Sequence, residues 1–328
     1  MNIRYRPFET HCHTRHSDGR FSVEELLYSA ASYGYEGIFL TDHNTQSGVR
    51  EAERLGEGAP FVMPGIEWTT FYGHLLVLGG SRFVDWRFVT PDSIDEALLE
   101  IRESGGIAGI AHPFEVGAPL SCGSAWEFHV TRWDLLHYVE VWSGEAPHTR
   151  GKNRLALPFY DQLLNRGYRL AVTAGRDWHG PDRGRRPILA ATYLGLRDGR
   201  LTREHAAEAM RHGRTFITLG PELTCSLVQD GLPFGLGDTV PPGGAELHIA
   251  AAPGKPEAVW SENGAELQEL RLVENGRIAA VSPPGVPVLD AAVVLKGGWI
   301  RAEAWGLLEG KRQRLALTSP IYVGRRER

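Results

Sequence analysis

Nine residues of this chain have the types and the placement that bind metal ions. His11 and His13 flank one residue in an expected strand over 8–13, so the alternation of a strand aims both imidazoles at one face and turns Cys12 to the other. Asp18 follows in the turn Ser17-Asp18-Gly19. His43 comes directly after the apolar run GIFL, within Thr41-Asp42-His43-Asn44, and Glu67 closes FVMPGIE. His74 opens the run LLVLG, His112 ends IAGIAH, and Asp177 and His179 follow LAVTA. Imidazole and carboxylate donors without a thiolate suit Zn, Mn or Fe and exclude a cysteine zinc knot. A lone histidine at a strand end is ordinarily a solvated or core residue. Six histidines and three acids at successive strand edges form a pattern.

The remaining histidines do not share it. His205, His212 and His248 fall in a helix or in the β-rich end and read as surface residues, while His129, His137 and His148 are undecided, with the surface reading favoured. His16 stands close enough to compete with Asp18 for a metal.

Short apolar runs alternate with helical segments through the first two thirds of the chain. Strands are expected over 8–13, 37–41, 61–66, 75–78, 107–111, 138–141, 170–173 and 188–194. Helices are expected over 22–33, where Ser22 and Glu25 make a capping box and Gly34 the stop, over 94–103 and over 156–164. Another, over 204–211, would be capped by Thr202. This alternation implies a largely parallel sheet, open or closed into a barrel, and most of the ligands then fall at its carboxyl-terminal rim. After Gly220-Pro221 the pattern turns to β-branched runs and Gly/Pro turns. Asn275-Gly276 between two apolar runs marks a hairpin, and strands over 299–305 and 314–323 follow. Residues 1–220 are therefore expected to form the α/β unit and 221–328 a small all-β sandwich.

With 328 residues, 42% of them hydrophobic, the chain can bury a substantial core without cross-links. Three separated cysteines, Cys12, Cys122 and Cys225, make no disulfide framework. Lys and Arg number 35 against 40 Asp and Glu, a formal net charge of -5, which argues against bulk binding of nucleic acid. No signal peptide or apolar run of bilayer length is seen, so no membrane role and a cytoplasmic location are expected. Nothing in the sequence sets the oligomeric state.

The run HCHTRHSDG, then TDHNTQSG, PGIEWTTFYGH, IAHP, VEVWSG and GRDWH, resembles the PHP family, named for polymerase and histidinol phosphatase. FSVEELL, TDHNT, TTFYGH, DWH and the late TSPIYV look closest to its carbaryl-hydrolase-like branch. The resemblance implies a distorted seven-stranded β/α (TIM-like) barrel and two or three divalent metal ions. His11, His13, Glu67 and Asp177 would hold one ion. Glu67, bridging, with His74 and His112 would hold a second, and Asp18, His43 and His179 a third. Asp18 rather than His16 occupies the family's SDG position. Arg176 stands where many relatives carry a small residue, which bears on substrate shape. Asp42 and Glu140 are implied to lie beside the site and orient its ligands.

Water activated between ions that share Glu67 makes a hydrolase the leading expectation, with Glu67, Asp177 and His179 nearest the chemistry. A phosphomonoester or nucleotide is the favoured small-molecule substrate, with Arg20, Lys152, Arg176, Arg183, Arg185 and Arg186 as candidate anion contacts. The alternative is a carbamate or carboxyl ester, for which Trp68, Tyr72, Phe114, Trp126 and Trp142 would build an apolar bay. A non-catalytic metal-containing binding module is the third reading.

Overall fold

A computed structural model describes residues 2–55, 60–117, 123–182, 184 and 186–324. Arg183, Arg185 and Cys122 lie outside them. The order is β1 (Ile3–Cys12), α1 (Val23–Ser32), β2 (Gly37–Leu40), α2 (Ser47–Leu55), β3 (Phe61–Thr70), β4 (Gly73–Leu78), α3 (Ile94–Glu103), β5 (Ile107–Ile110), β6 (Tyr138–Ser143), α4 (Gly151–Asn165), β7 (Ala171–Gly175), β8 (Ala191–Arg197), α5 (Arg203–Arg211) and β9 (Thr215–Thr218). The chain is thus a mixed α/β protein with a large sheet and few helices. Both predicted capping devices are present: Ser22 and Glu25 form a reciprocal capping box on α1, and the Thr202 hydroxyl accepts from His205 N–H at the start of α5. Helix α4 begins five residues before the expected start and carries Pro158 inside it. Its first turn has no capping side chain, so the sequence holds no start signal there.

In the large sheet the run β9-β8-β1-β2-β3-β4-β5-β6-β7 brings the ligand-bearing strands side by side. β1, β2 and β3 are parallel, as are β5, β6 and β7, and all of these but β6, which carries Glu140, bear ligands towards their far ends. β4 departs from the expected parallel order. It returns antiparallel from β3 and pairs antiparallel with β5. A strand that runs the other way has its start at the rim where its neighbours end. That is why His74 opens its strand while the other ligands close theirs.

The outer edge of β7 is closed by side chains. Leu170 N–H donates to the Tyr322 hydroxyl (3.0 Å), Val172 N–H to Ser319 Oγ (2.9 Å), Ala174 N–H to Thr192 Oγ1 (2.7 Å) and Arg176 N–H to Glu9 Oε1 (2.8 Å). Thr215 Oγ1 donates to the Val172 carbonyl (2.7 Å) and Thr10 Oγ1 to that of Ala174 (3.0 Å). Every second residue of this edge finds a side-chain partner, because a buried peptide group left unpaired costs about as much as a lost hydrogen bond.

The later strands are β10 (Glu222–Gln229), β11 (Leu232–Phe234), β12 (Thr239–Val240), β13 (Gly243–Ala252), β14 (Glu266–Glu274), β15 (Arg277–Val281), β16 (Val288–Leu295), β17 (Gly298–Leu308), β18 (Lys311–Thr318) and β19 (Ile321–Val323). β11-β10-β13-β16 form a separate four-stranded antiparallel sheet, while β18 pairs with β9 and so joins β17, β14, β15, β19 and β12 to the large sheet. Leu223, Leu227, Leu247 and Ile249 of the smaller sheet share one buried core with Leu270, Ala302, Ala304 and Leu315. At the hairpin Glu274 pairs with Arg277, and Asn275 and Gly276 take φ of 48° and 81°, the left-handed pair that a type I′ turn requires. Among the described residues no helix is long and apolar enough to cross a membrane.

Candidate metal centre

Glu67 is fully buried at the middle of a ring of imidazoles. Its Oε2 lies 3.1 Å from His11 Nε2, 3.3 Å from His13 Nε2 and 2.9 Å from His43 Nδ1. Its Oε1 lies 2.9 Å from His74 Nδ1 and 3.2 Å from His112 Nε2. Asp177 Oδ1 is 3.1 Å from His13 Nε2 and 3.5 Å from His11 Nε2, and Asp18 Oδ1 is 3.1 Å from His179 Nε2 and 3.5 Å from His43 Nε2. The donor atoms fall into three sets close enough to hold a cation: His11, His13, Glu67 and Asp177; Glu67, His74 and His112; and His13, Asp18, His43 and His179. All nine residues singled out in the sequence are brought together. His16 is turned away, with Nδ1 on Ser47 Oγ (2.8 Å) and Nε2 on Glu51 (2.7 Å).

The residues present fit metal ions. His11 Nε2, His13 Nδ1, His74 Nε2, His112 Nδ1 and Glu67 Oε2 are buried without a hydrogen-bond partner, although buried polar atoms are normally paired. The charge balance points the same way. Burial pushes the Glu67 and Asp177 carboxyls up, but the facing histidines outweigh it and hold both well below the usual carboxylate range. Burial opposes a charge on His11, yet Glu67, Glu140 and Asp177 raise it well above the usual imidazole range, and Glu67 raises His43 and His112 against burial. At His13 burial prevails and lowers it. Acids that stay ionised and imidazoles that recruit protons define a site short of positive charge, which divalent ions supply in place of those protons.

Neighbouring groups fix the ligands. Glu140 is buried, accepts from His11 Nδ1–H (3.2 Å) and receives His112 N–H on its other oxygen (3.0 Å), so it fixes one imidazole and one backbone at once. A Cβ on Gly175 would lie 2.3 Å from Glu140 Oε1 and 2.5 Å from His11 Cβ, so only glycine lets β7 approach this closely. Asp42 Oδ1 accepts from Thr14 N–H (2.7 Å) and Ser17 Oγ (2.8 Å), which shapes the loop that presents Asp18. His112 and Asp177 hold φ of 24° and 54°, strained for residues with a Cβ and typical of functional sites. Sequence reasoning missed Asn44, whose amide exchanges two hydrogen bonds with Thr69 (2.9 and 3.0 Å), and Thr69, whose hydroxyl lies 2.5 Å from His43 Nδ1. Asn44 directly follows His43, but nothing about an amide there announces its partner. Glu9, also missed, had a signal: it shares the strand parity of His11 and His13.

A cavity of about 520 Å³ opens over the ligands and is otherwise lined by Ser17, Asn44, Thr69, Glu115 and Ser124. None of the described cations expected to bind substrate lines it. Lys152 is held by Glu115, with Ser143 Oγ at 3.4 Å. Arg176 is buried, bonded to Glu145 (2.6 Å) and Asp182 and laid over Trp178 at 4.4 Å. Arg20 is exposed and shares with Arg176 and His179 an adjoining cavity of about 340 Å³. Arg186 pairs with Glu262 at 2.7 Å, away from the ligands. The expected aromatic bay does not line the cavity either. Trp68 and Trp142 are core residues, Tyr72 and Trp126 pack on Phe128, and Phe114 packs on Phe159.

Among the other histidines, His129, His212 and His248 are exposed, whereas His137 accepts Ala108 N–H on Nδ1 (3.3 Å) and is lowered to about 4 by burial and by Arg211.

The chain is 25% identical over 138 residues to a 5'-3' exoribonuclease of Haemophilus influenzae, a match covering 39% of this chain and 50% of that protein. It is 33% identical over 118 residues to the uncharacterized protein MJ1587 of Methanocaldococcus jannaschii, covering 32% of this chain and 67% of that one. This chain belongs to the family of that archaeal protein. It spans half the length of the exoribonuclease. No family model matches the chain. Its fold is similar to that of a two-domain protein of Bacteroides vulgatus containing a predicted PHP-like metal-dependent phosphoesterase, with a TM-score of 0.52, 16% identity and 97% and 96% of the two chains covered.

Proposed function

We propose that the chain is a metal-dependent hydrolase of the PHP type that cleaves a phosphoester. The observation that carries this reading is Glu67, a buried carboxylate shared by two of three contiguous ligand sets, with an oxygen that three imidazole nitrogens approach within 3.3 Å and none meets in hydrogen-bonding geometry. Divalent ions bound there would lower the pKa of water and polarise the oxygen under attack. His11, His13, His74 and His112 are buried and oriented before substrate arrives, while Asp18 and His179, 62% and 35% exposed, stand at the mouth where substrate enters. In this reading Glu67, Asp177 and His179 would be the ligands closest to the chemistry.

The cavity lining favours phosphate over carbamate. Among the described residues it offers hydroxyls, an amide, imidazoles and acids, with no apolar side chain to hold an aryl group and no Arg or Lys. Three divalent ions would bring six positive charges against three ligand carboxylates, an excess that an anionic phosphoryl group matches and a neutral carbamate does not. The likeness to the carbaryl-hydrolase-like branch keeps carbonyl chemistry as the second reading. The exoribonuclease relative makes a phosphodiester substrate worth including, although the net charge of -5 disfavours bulk nucleic-acid binding. In this reading residues 1–220 form a distorted seven-stranded barrel that holds the chemistry, and 221–328 a β-sandwich that supports it.

Initial rates of the Mn-loaded protein on p-nitrophenyl phosphate, a nucleoside monophosphate, a short 5'-phosphorylated RNA and an aryl N-methylcarbamate test this, with Asp177→Ala as control. Phosphate release that vanishes in Asp177→Ala is expected. Cleavage of the carbamate alone would transfer the protein to carbonyl chemistry.

A further inference from the structure

We propose that Glu9 is a positioning residue of the metal centre, tying the strand that carries His11 to the turn that carries Asp177. The inference rests on the metal-centre reading. Glu9 is fully buried, lies two residues before His11 on β1, and belongs to none of the ligand sets. One oxygen, Oε1, accepts from His11 N–H at 3.0 Å and from Arg176 N–H at 2.8 Å. It therefore bridges the backbone of one ligand to the residue before another.

The bridge is needed because β1 and β7 share no ladder. Their backbone-to-backbone hydrogen bonds among the described residues lie beyond the end of β7, where Trp178 N–H donates to the His11 carbonyl (3.0 Å) and His13 N–H to the Trp178 carbonyl (2.9 Å). The lower rungs of this edge are hydroxyls of Thr10, Thr192, Thr215, Ser319 and Tyr322, which accept from an N–H or donate to a carbonyl as each position requires. At the rung beside the ligand sets two N–H groups, of His11 and Arg176, converge on one oxygen. That rung requires an acceptor, and Glu9 Oε1 supplies it to both N–H groups, since either form of a carboxyl keeps an acceptor oxygen. Asp177 is thereby held between two fixed points, Arg176 N on Glu9 and Trp178 on β1, in a left-handed conformation it would not adopt freely. Its Oδ1 then lies 3.5 Å from His11 Nε2 and 3.1 Å from His13 Nε2. Without the bridge the strand and the turn can separate, and the first ligand set widens.

Calorimetric titration of metal-stripped protein with Mn²⁺, together with the d–d absorption of the Co²⁺-loaded form, tests this on Glu9→Leu, Glu9→Asp and Glu9→Gln. Glu9→Gln keeps an acceptor without the charge and is expected to bind Mn²⁺ within about threefold of wild type. Glu9→Leu has no acceptor, and in Glu9→Asp the carboxylate is drawn back by one methylene. Both are expected to lose roughly 10–100-fold in affinity and to show an altered Co²⁺ spectrum, with circular dichroism unchanged. If Glu9→Leu does not fold, Glu9→Asp gives the answer. Wild-type affinity and spectrum in Glu9→Asp or Glu9→Leu overturn the proposal, and so does a Glu9→Gln protein as weak as Glu9→Asp, since charge rather than the bridge would then matter. Wild-type protein that binds neither ion overturns the metal-centre reading itself.

Discussion

Two buried polar clusters in this molecule solve the same electrostatic problem in opposite ways. In the β-rich region, Arg301 is 2% exposed and is met by Asp161 and by Glu303 (2.7 and 2.9 Å), while Arg314 lies 2.9 Å from the second oxygen of Glu303. Trp305 Nε1–H donates to that same oxygen at 2.8 Å. Acid and base are both built in, two arginines against two carboxylates, and of this cluster only Arg314 Nε is buried without a partner in hydrogen-bonding geometry. At the strand ends around Glu67, acids face imidazoles: among the described residues Glu67, Asp177 and Asp18 pair with histidines and with no Arg or Lys, and five polar atoms are buried without a partner in hydrogen-bonding geometry. Burial alone therefore does not distinguish a functional cluster from a structural one. What distinguishes them is whether the charge is balanced by groups of the chain itself.

The largest effect is expected at Glu67. Glu67→Gln removes the charge shared by two ligand sets and should cut hydrolysis by about 1000-fold or more, the equivalent of about 4 kcal/mol of transition-state stabilisation. Metal content measured on the same sample should fall with it. Arg301→Met should act in the reverse sense. It leaves the half-buried Asp161 without its cation and the buried Glu303 with Arg314 alone, and is expected to destabilise the fold by about 3 kcal/mol in urea, with Mn²⁺ affinity unchanged. If Arg301→Met weakened metal binding as strongly as it weakens the fold, the two clusters would not be independent.

Acid should separate the clusters as well. Burial pushes Glu303 up, but Arg314 and Arg301 outweigh it and lower it to about 2 from an ordinary 4.5. A depressed carboxyl contributes stability that is complete above pH 4.5 and lost as pH falls towards 2, here about 3 kcal/mol. In Glu303→Gln that part of the acid sensitivity should disappear. Metal affinity should fail at higher pH, because His11, His43 and His112 hold protons tightly and those protons compete with the ions near neutrality. Loss of Mn²⁺ affinity and loss of fold at the same pH would contradict this.

Much of the site was legible because metal ligands need few residue types and strand ends bring them together. His11 and His13 follow from period-two geometry, and Ser22, Thr202 and Asn275-Gly276 follow from local hydrogen bonding that needs no tertiary partner. What was not legible depends on pairing. The return of β4 alongside β3, which brings His74 to the rim, lies in the short turn after Thr70 and reads from sequence as one more strand. The substrate contacts expected of Lys152, Arg176 and Arg186 were obscured because a cation's sequence position does not show whether Glu115, Asp182 or Glu262 already occupies it. Side-chain closure of β7 is hidden for the same reason, since Thr10, Thr192 and Ser319 look like ordinary strand and turn residues until their partners are known.

The claim that the Glu67 cluster is a metal centre is tested most directly by the number of ions it holds. Metal-stripped protein should be dialysed to equilibrium against Mn²⁺ or Zn²⁺ and its metal content determined by elemental analysis. Two or three ions per chain, reduced in Glu67→Gln, are predicted. A wild-type protein that holds less than one ion per chain, or the same number as Glu67→Gln, would contradict it.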